Sequence, residues 1–408
     1  MAFSLFSVFG IEIEYMIVNR EDLNIHPIAD VLLEKLAGGE LINEVECGDL
    51  AVSNELALHV IELKTNGPKQ ELALLSSLFH EKIRDLNQIL QDDGACLMPT
   101  GAHPWYNPHL NMKLWPHGDK TIYNMYHSLF NCEGHGWSNL QSIHINLPFA
   151  SDDEFSRLHN AIRLLMPVIP ALTASTPIIE EKLTGFKDTR LFYYGNNQKK
   201  IPSISGFVVP EFIDDRKHYH EKILNPMYQA VEPVDPQGIL QHEWLNSRGA
   251  IARFDRDAIE IRIVDTQECA LADIACVFAI TAVLQFLVHH THDYQNKPLE
   301  TKYLKLIYDS VIRDGLSASL EAEKAYTQAF GLKSKSFKTA RHFWGALLEK
   351  VTEDMPFEYQ KVLEQVLIQG NLAERLLSVT RNDTRAETLK PVYAKLCECL
   401  DNNYLFLP

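Results

Sequence analysis

Glu12, Glu14, Glu62, His144 and Glu260 are the residues of this chain whose types and positions most readily do chemistry together. Carboxylate oxygens with a single imidazole suit a hard divalent cation, Mg²⁺ or Mn²⁺, better than a structural Zn²⁺. Glu55, seven residues before Glu62, is a candidate sixth ligand. Without cations, so many carboxylates on one enclosed face would repel each other, and each buried ion would cost on the order of several kcal/mol. Arg262 follows Glu260 by two residues, and Arg253 lies just upstream. Cations beside an arginine are a known way to handle a nucleoside triphosphate: the metals bridge phosphate oxygens and the guanidinium neutralises charge on the transferred group. The candidate catalytic residues are therefore Arg262, Glu260 and Arg253. Arg262, Arg190 and Asn146 are candidates for gripping the nucleotide through bidentate or amide hydrogen bonds. Neither a GxxxxGK[ST] nor a GxGxxG segment occurs, so an ATP site here must depend on metals and a sheet.

These residues need strands to present them. FGIEIEYMIV at 9–18, ELALHVIELKT at 55–65, LQSIHINLP at 140–148 and AIEIRIVDT at 258–266 each alternate in character. In a strand, successive side chains point to opposite faces. Ile11, Ile13 and Tyr15 then share one face while Glu12 and Glu14 share the other. His144 falls with Ser142 and Asn146, and Glu260 with Arg262, while Glu62 lies opposite Ile61 and Leu63. The pattern predicts a metal-binding polar face on an antiparallel sheet, and an α+β fold with flanking helices.

Apolar spacing of three or four predicts helices near 29–37, 69–92, 120–132, 152–173 and 270–290. Ser151 and Glu154 form a capping box, and Pro167 and Pro170 should kink or shorten the end of the helix that follows. Residues 94–118 read as a strand passing into an irregular loop, and 175–250 as loops and short strands with some helix. From about 297 the pattern becomes successively helical, near 299–313, 317–330, 336–351, 356–369 and 383–399. The expected organisation is a catalytic domain over 1–296 and a helical extension over 297–408.

The balance of 54 acidic against 38 basic residues, a net charge of −16, argues against nucleic-acid binding, because no basic footprint exists for a phosphate backbone. Seven irregularly spaced cysteines give neither a disulfide framework nor a zinc spacing, which points to a reducing, cytoplasmic setting. The N-terminus lacks the features of a signal peptide. The longest apolar stretch, 276–288, is too short to span a bilayer, so no membrane partner is expected.

Six short segments, G-I-E-I-E-Y at 10–15, Glu55 with Glu62, G-A-H-P-W at 101–105, Q-S-I-H-I-N at 141–146, A-S-T-P at 174–177 and I-E-I-R-I-V-D-T at 259–266, occur in an order that resembles the carboxylate-amine ligases of the type 2 glutamate-cysteine ligase family, within the glutamine synthetase superfamily. The resemblance covers roughly 9–290. It implies a largely antiparallel sheet of that type, with Glu12, His144 and Glu260 on one cation, Glu14, Glu55 and Glu62 on another, and Arg262 on the transferred phosphate. It also implies an ATP-dependent ligation in which a carboxylate, typically the side chain of glutamate, becomes an acyl phosphate that an amine captures. Cysteine is the default amine, as in glutathione biosynthesis. The partners expected are glutamate, an amine and ATP, with homo-oligomerisation left open. The segment 178–250 and the tail after 297 carry none of the six motifs, which leaves the acceptor undetermined. Two other readings compete: a metal-dependent amide or phosphoester hydrolase on the same cluster, and a non-catalytic nucleotide-binding relative.

Overall fold

The computed structural model describes residues 2–118, 121–290, 293–332 and 337–408. Ten strands are present among them: β1 Gly10–Asn19, β2 Glu44–Cys47, β3 Leu50–Asn54, β4 Val60–Thr65, β5 Ala95–Met98, β6 Ser142–Pro148, β7 Ile178–Ile179, β8 Lys182–Leu183, β9 Ala250–Arg253 and β10 Ala258–Asp265. Seven run in the order β2-β3-β4-β1-β6-β10-β9, β5 pairs with the far end of β1 to complete an eight-stranded sheet, and β7 and β8 form a separate hairpin. Every pairing of these strands is antiparallel. With the helices that flank it, this is the expected α+β architecture with a helical C-terminal region.

Side-chain alternation builds two dissimilar faces. Ile11, Ile13, Tyr15, Ile61, Leu63, Ile143, Ile145, Ile259 and Ile261 are fully buried in the main core. The helices Leu75–Gln91, Asp152–Leu165 and Ala270–His290 pack together behind that face. The Tyr15 hydroxyl donates to Asp273 Oδ2 at 3.0 Å, pinning β1 to the helix Ala270–His290. That helix is long and apolar enough by composition to cross a membrane, yet most of it is enclosed by protein.

The helix after Ser151 starts as expected, with the Ser151 hydroxyl accepting from the Glu154 N–H at 3.2 Å. It stops at Leu165, and Pro167 and Pro170 fall in a 3₁₀ turn and a following short helix. The strand expected over 55–65 begins only at Val60, because the Val60 N–H turns back to the Ala57 carbonyl at 2.9 Å. Glu55 therefore sits in a connection outside the strand. The β2-β3 hairpin was not expected; Gly48, at φ 73°, makes its turn possible. The helix expected over 317–330 reduces to a 3₁₀ turn at Gly315–Ser317 and the helix Lys324–Gln328. A helix missing from the sequence reading, Leu372–Thr380, is capped by Asn371, whose side chain accepts from the Glu374 N–H at 2.9 Å. Residues 120 and 336, the starts of two expected helices, lie outside the described residues.

Helices beyond 297 bury side chains in the same cluster as the sheet, including Leu304, Val311, Trp344, Tyr359 and Leu363. Arg375 of the helix Leu372–Thr380 pairs with the buried Glu268 and donates to the Phe406 carbonyl.

The helix Asp152–Leu165 also holds His159, fully buried beside Phe155 and Tyr219. Burial holds its imidazole down at about 3. Because this folded value lies below the ordinary 6.5, the unfolded chain takes up a proton first. The neutral ring's contribution is complete above pH 6.5 and is lost as pH falls from there towards 3. His159→Phe is therefore expected to flatten the dependence of unfolding free energy on pH by about 1.4 kcal/mol per pH unit between pH 4 and 6, measured by urea unfolding. An unchanged slope would contradict this assignment.

Candidate active site

The face of the sheet away from the core opens on a cavity of 580 Å³. Strand register assembles its acidic wall. On β1, Glu12 lies opposite His144 of β6 on one side and opposite Lys64 of β4 on the other, and Glu14 lies opposite Glu62. Glu260 of β10 lies opposite Asn146. Between Ile261 and Val264 the β6-β10 register slips by one residue, a bulge that includes Arg262. The Arg262 N–H leaves the ladder for the Gly249 carbonyl at 2.9 Å. Bulges of this kind re-aim a side chain, and the Arg262 guanidinium reaches into the cavity.

At the centre, His144 Nδ1 is 3.2 Å from Glu12 Oε2 and 3.7 Å from Glu260 Oε1. Asn146 donates to Glu12 Oε1 at 3.1 Å and so touches the site through Glu12, without lining the cavity itself. Ligand atoms of Glu12, Glu62 and His144 all lie within 4.8 Å of one another. Glu14 accepts from the Ser142 N–H at 2.7 Å and from its hydroxyl at 3.2 Å. Glu62 accepts from Ser53 at 3.0 Å and from Lys64 at 2.9 Å. Arg262 Nε donates to Glu260 Oε1 at 2.5 Å, and Arg253 Nη1 donates to Glu260 Oε2 at 3.1 Å. Glu260 is thus clamped between two guanidiniums. Glu55 lines the cavity from its connecting segment, with the Leu56 N–H on its Oε2 at 3.4 Å.

Charge crowding follows from this geometry. Burial and the charges of Glu14 and Glu62 push the Glu55 carboxyl well above the usual range. Glu62 is pushed up to about 7 by burial and by Glu12, against the pull of Lys64. Burial also works against ionisation of Glu12, but the hydrogen bond and charge of His144 outweigh it and hold Glu12 at about 2. For His144, burial opposes the charged form, yet the Glu12 hydrogen bond and the charges of Glu14 and Glu260 raise it to about 9. A wall whose carboxylates resist being ionised together is chemically suited to a divalent cation, and its oxygen-rich donor set fits Mg²⁺ or Mn²⁺.

Arg190 also borders the cavity, but most of its guanidinium is spoken for. It is buried, its Nε donates to Asp265, and its Nη1 reaches the Arg262 carbonyl at 3.3 Å. Asp265 Oδ2 accepts from the Ser175 N–H at 2.9 Å, the Ser175 hydroxyl at 3.1 Å and the Thr176 hydroxyl at 3.2 Å. Gly101 packs so closely that an added Cβ would stand 2.7 Å from the Asp265 carboxyl carbon. Three motifs with no evident chemistry, G-A-H-P-W, A-S-T-P and the V-D-T end of β10, therefore meet at one buried carboxylate that supports the cavity floor.

Sequence reading missed Lys64, although it shares a face with Glu62 by simple alternation. It also missed Arg256 and the aromatic wall of Tyr123, Tyr126, Trp137, Tyr194 and Trp244. Those aromatics come from helices and loops, where no periodic signal distinguishes cavity from core.

A sequence model of glutamate-cysteine ligase family 2 matches residues 8–395. An uncharacterised protein of Archaeoglobus fulgidus is 34% identical over 390 residues, spanning 96% of this chain and 98% of its own. A Sorangium cellulosum protein provisionally named glutamate–cysteine ligase 2 is 24% identical over 385 residues, 91% of this chain and 90% of its own. Among solved structures, the glutamate–cysteine ligase of Francisella tularensis in complex with AMP shares the fold, with a TM-score of 0.67 at 14% identity over 98% of this chain and 90% of that one.

Proposed function

The chain belongs to glutamate-cysteine ligase family 2, and from that premise we propose that it is an ATP-dependent carboxylate-amine ligase that activates the side-chain carboxylate of glutamate as an acyl phosphate and joins it to an amine. Cysteine is the reference acceptor suggested by the names of its relatives. The observation that carries this reading is the juxtaposition of the Glu12, Glu62 and His144 cluster with the Glu260-bound Arg262 in one cavity. A phosphoester hydrolase could use the same cluster and arginine, so the dependence of turnover on ATP and on both substrates separates the two readings.

Glu12, Glu62 and His144 would hold a divalent cation, with Glu14, Glu55 and Glu260 completing the acidic wall. A bound Mg²⁺ or Mn²⁺ would supply charge neutralisation to the triphosphate. In the reaction, a carboxylate oxygen attacks the γ-phosphorus and ADP departs. The neutral amine nitrogen then attacks the acyl carbon, and phosphate leaves with the oxygen that had linked it and takes up the proton the nitrogen loses. Arg262, fixed at Nε by Glu260, presents the rest of its guanidinium to the phosphoryl group in flight. Arg253 holds the other Glu260 oxygen and keeps that carboxylate aligned. Lys64 offsets the acidic wall at Glu62 and also pairs, at 2.8 Å, with the exposed Glu44 outside the cavity. The aromatic wall limits water, which would otherwise hydrolyse the acyl phosphate. All seven cysteines are free thiols, which supports a reducing, cytoplasmic location.

An ADP-release assay with Mg²⁺ or Mn²⁺, glutamate and a panel of amines tests the proposal. ADP release is expected only when glutamate and an accepted amine are both present. Turnover of an amide or phosphoester without ATP, or no stimulation by any amine, would contradict it.

A further inference from the structure

A second cavity, of 680 Å³, adjoins the first, and Gly136, Trp137 and Asn197 line both. The partition is thin: an added Cβ at Gly136 would fall 1.5 Å from Asn197 Oδ1, and the Asn197 amide donates to the Gly136 carbonyl. Any side chain at 136 would require Asn197 to move.

The second cavity has an aromatic body and one carboxylate. Phe186 and Phe192 stack at 4.7 Å between ring centres, and Phe192 is 39% exposed, a large apolar side chain left open to the space. Tyr193 lies against His135 at 5.1 Å. Glu180 Oε1 is 3.1 Å from His135 Nε2. The proton on that ring can be placed. Asn139 accepts the His103 N–H through Oδ1 at 2.7 Å, which turns its Nδ2 towards His135 Nδ1 at 3.1 Å. His135 Nδ1 is therefore the acceptor and Nε2–H donates to Glu180. A neutral imidazole adds no counter-charge to Glu180, and its ion pair with Lys182, also in the cavity lining, is a 3.7 Å contact to a mostly exposed side chain that an incoming ammonium can displace. Glu180 and Glu181 form the two-residue turn between β7 and β8 with φ of 48° and 56°, a left-handed pair without glycine. Such strain is kept where the surroundings hold it and often marks a working group.

Resting on the ligase reading above, we propose that this cavity binds the acceptor and that the acceptor is an arylalkyl primary amine: its ring lies along the Phe186, Phe192 and Tyr193 wall, Glu180 receives its ammonium and takes one proton, and the neutral nitrogen enters the first cavity past the Gly136–Asn197 partition once the Asn197 amide swings off the Gly136 carbonyl. Cysteine would leave most of the aromatic surface unfilled. Burying a ring against such a wall contributes through area and quadrupole contact, whereas a small polar amine gains neither.

The test uses the full chain with ATP, Mg²⁺ and glutamate, comparing phenethylamine, methylamine and cysteine as acceptors in ADP release, with calorimetric titration of phenethylamine in the absence of ATP. Phenethylamine is expected to show a kcat/KM at least tenfold above the other two. Glu180→Gln and Phe192→Ala are each expected to raise its KM at least tenfold while kcat falls less than threefold. Equal use of cysteine, untouched by either substitution, would overturn the acceptor assignment and leave the ligase reading standing. If no amine stimulates ADP release, the ligase reading fails, and calorimetry then decides the cavity by itself. Phenethylamine binding that is lost in Glu180→Gln and kept in Glu12→Gln supports the site, and absence of binding overturns it.

Discussion

Replacing Arg262 with alanine is expected to lower kcat by roughly 10²–10³ with little change in the KM for ATP or glutamate, the loss typical of one positioned electrostatic donor. The surroundings make this a test of chemistry more than of folding. Glu260 keeps its second guanidinium, Arg253 at 3.1 Å, so the substitution does not leave that buried carboxylate without a counter-charge. Arg262 also lies in a bulge whose backbone is held by the Gly249 carbonyl and does not depend on the side chain. Arg262→Lys should recover only part of the rate, since an ammonium cannot both hold Glu260 through a planar fork and face the phosphoryl group. Steady-state kinetics with each substrate varied in turn would check this, and a change confined to KM would contradict the assigned role.

Asp265→Ala is expected to cost about 3–5 kcal/mol of stability, the penalty of removing one partner from a buried ion pair. Arg190 would be left charged and enclosed, and Ser175 and Thr176 would lose their acceptor at the same time. Burial and the charge of Asp265 push the nearby Asp188 carboxyl well up, so removing Asp265 relieves Asp188 and lets it offset part of the charge left on Arg190. Pairing Asp265→Asn with Arg190→Met should restore much of the stability that Asp265→Asn alone loses, because the stranded charge is then gone. Urea midpoints with an unchanged m-value would measure both effects. A loss below about 1 kcal/mol for Asp265→Ala would show that the cluster does not support the cavity floor as argued.

These two residues also show how far the sequence reaches. Alternation alone picks out Glu12, Glu14, Glu62, His144, Glu260 and Arg262, and the fold brings all six to one cavity, because a period of two is a local property that survives any arrangement of strands. Partnership is a different matter. That Arg190 answers Asp265, or that Lys64 faces Glu12, depends on register between segments far apart in the chain, and nothing near Arg190 in G-F-K-D-T-R separates a phosphate grip from a buried ion pair. The resemblance-implied ligand sets put Glu62 with Glu14 and Glu55. The side chains as they stand gather Glu62 with Glu12 and His144, a diagonal across β1 and β4 that only the register reveals. The 178–250 segment contributes Arg190, Tyr194, Asn197 and Gln198 to the cavity from short helices and turns, whose irregular backbone leaves no period to read.

The central claim is that a carboxylate is phosphorylated before the amine arrives, and oxygen transfer tests it most directly. Glutamate carrying ¹⁸O in its side-chain carboxylate is incubated with ATP, Mg²⁺ and whichever amine supports ADP release, and the released phosphate is analysed by mass spectrometry. One ¹⁸O per phosphate, equal to the amide formed, is the predicted result, because the bridging oxygen of an acyl phosphate departs with phosphorus. Amide formation with unlabelled phosphate would contradict the account.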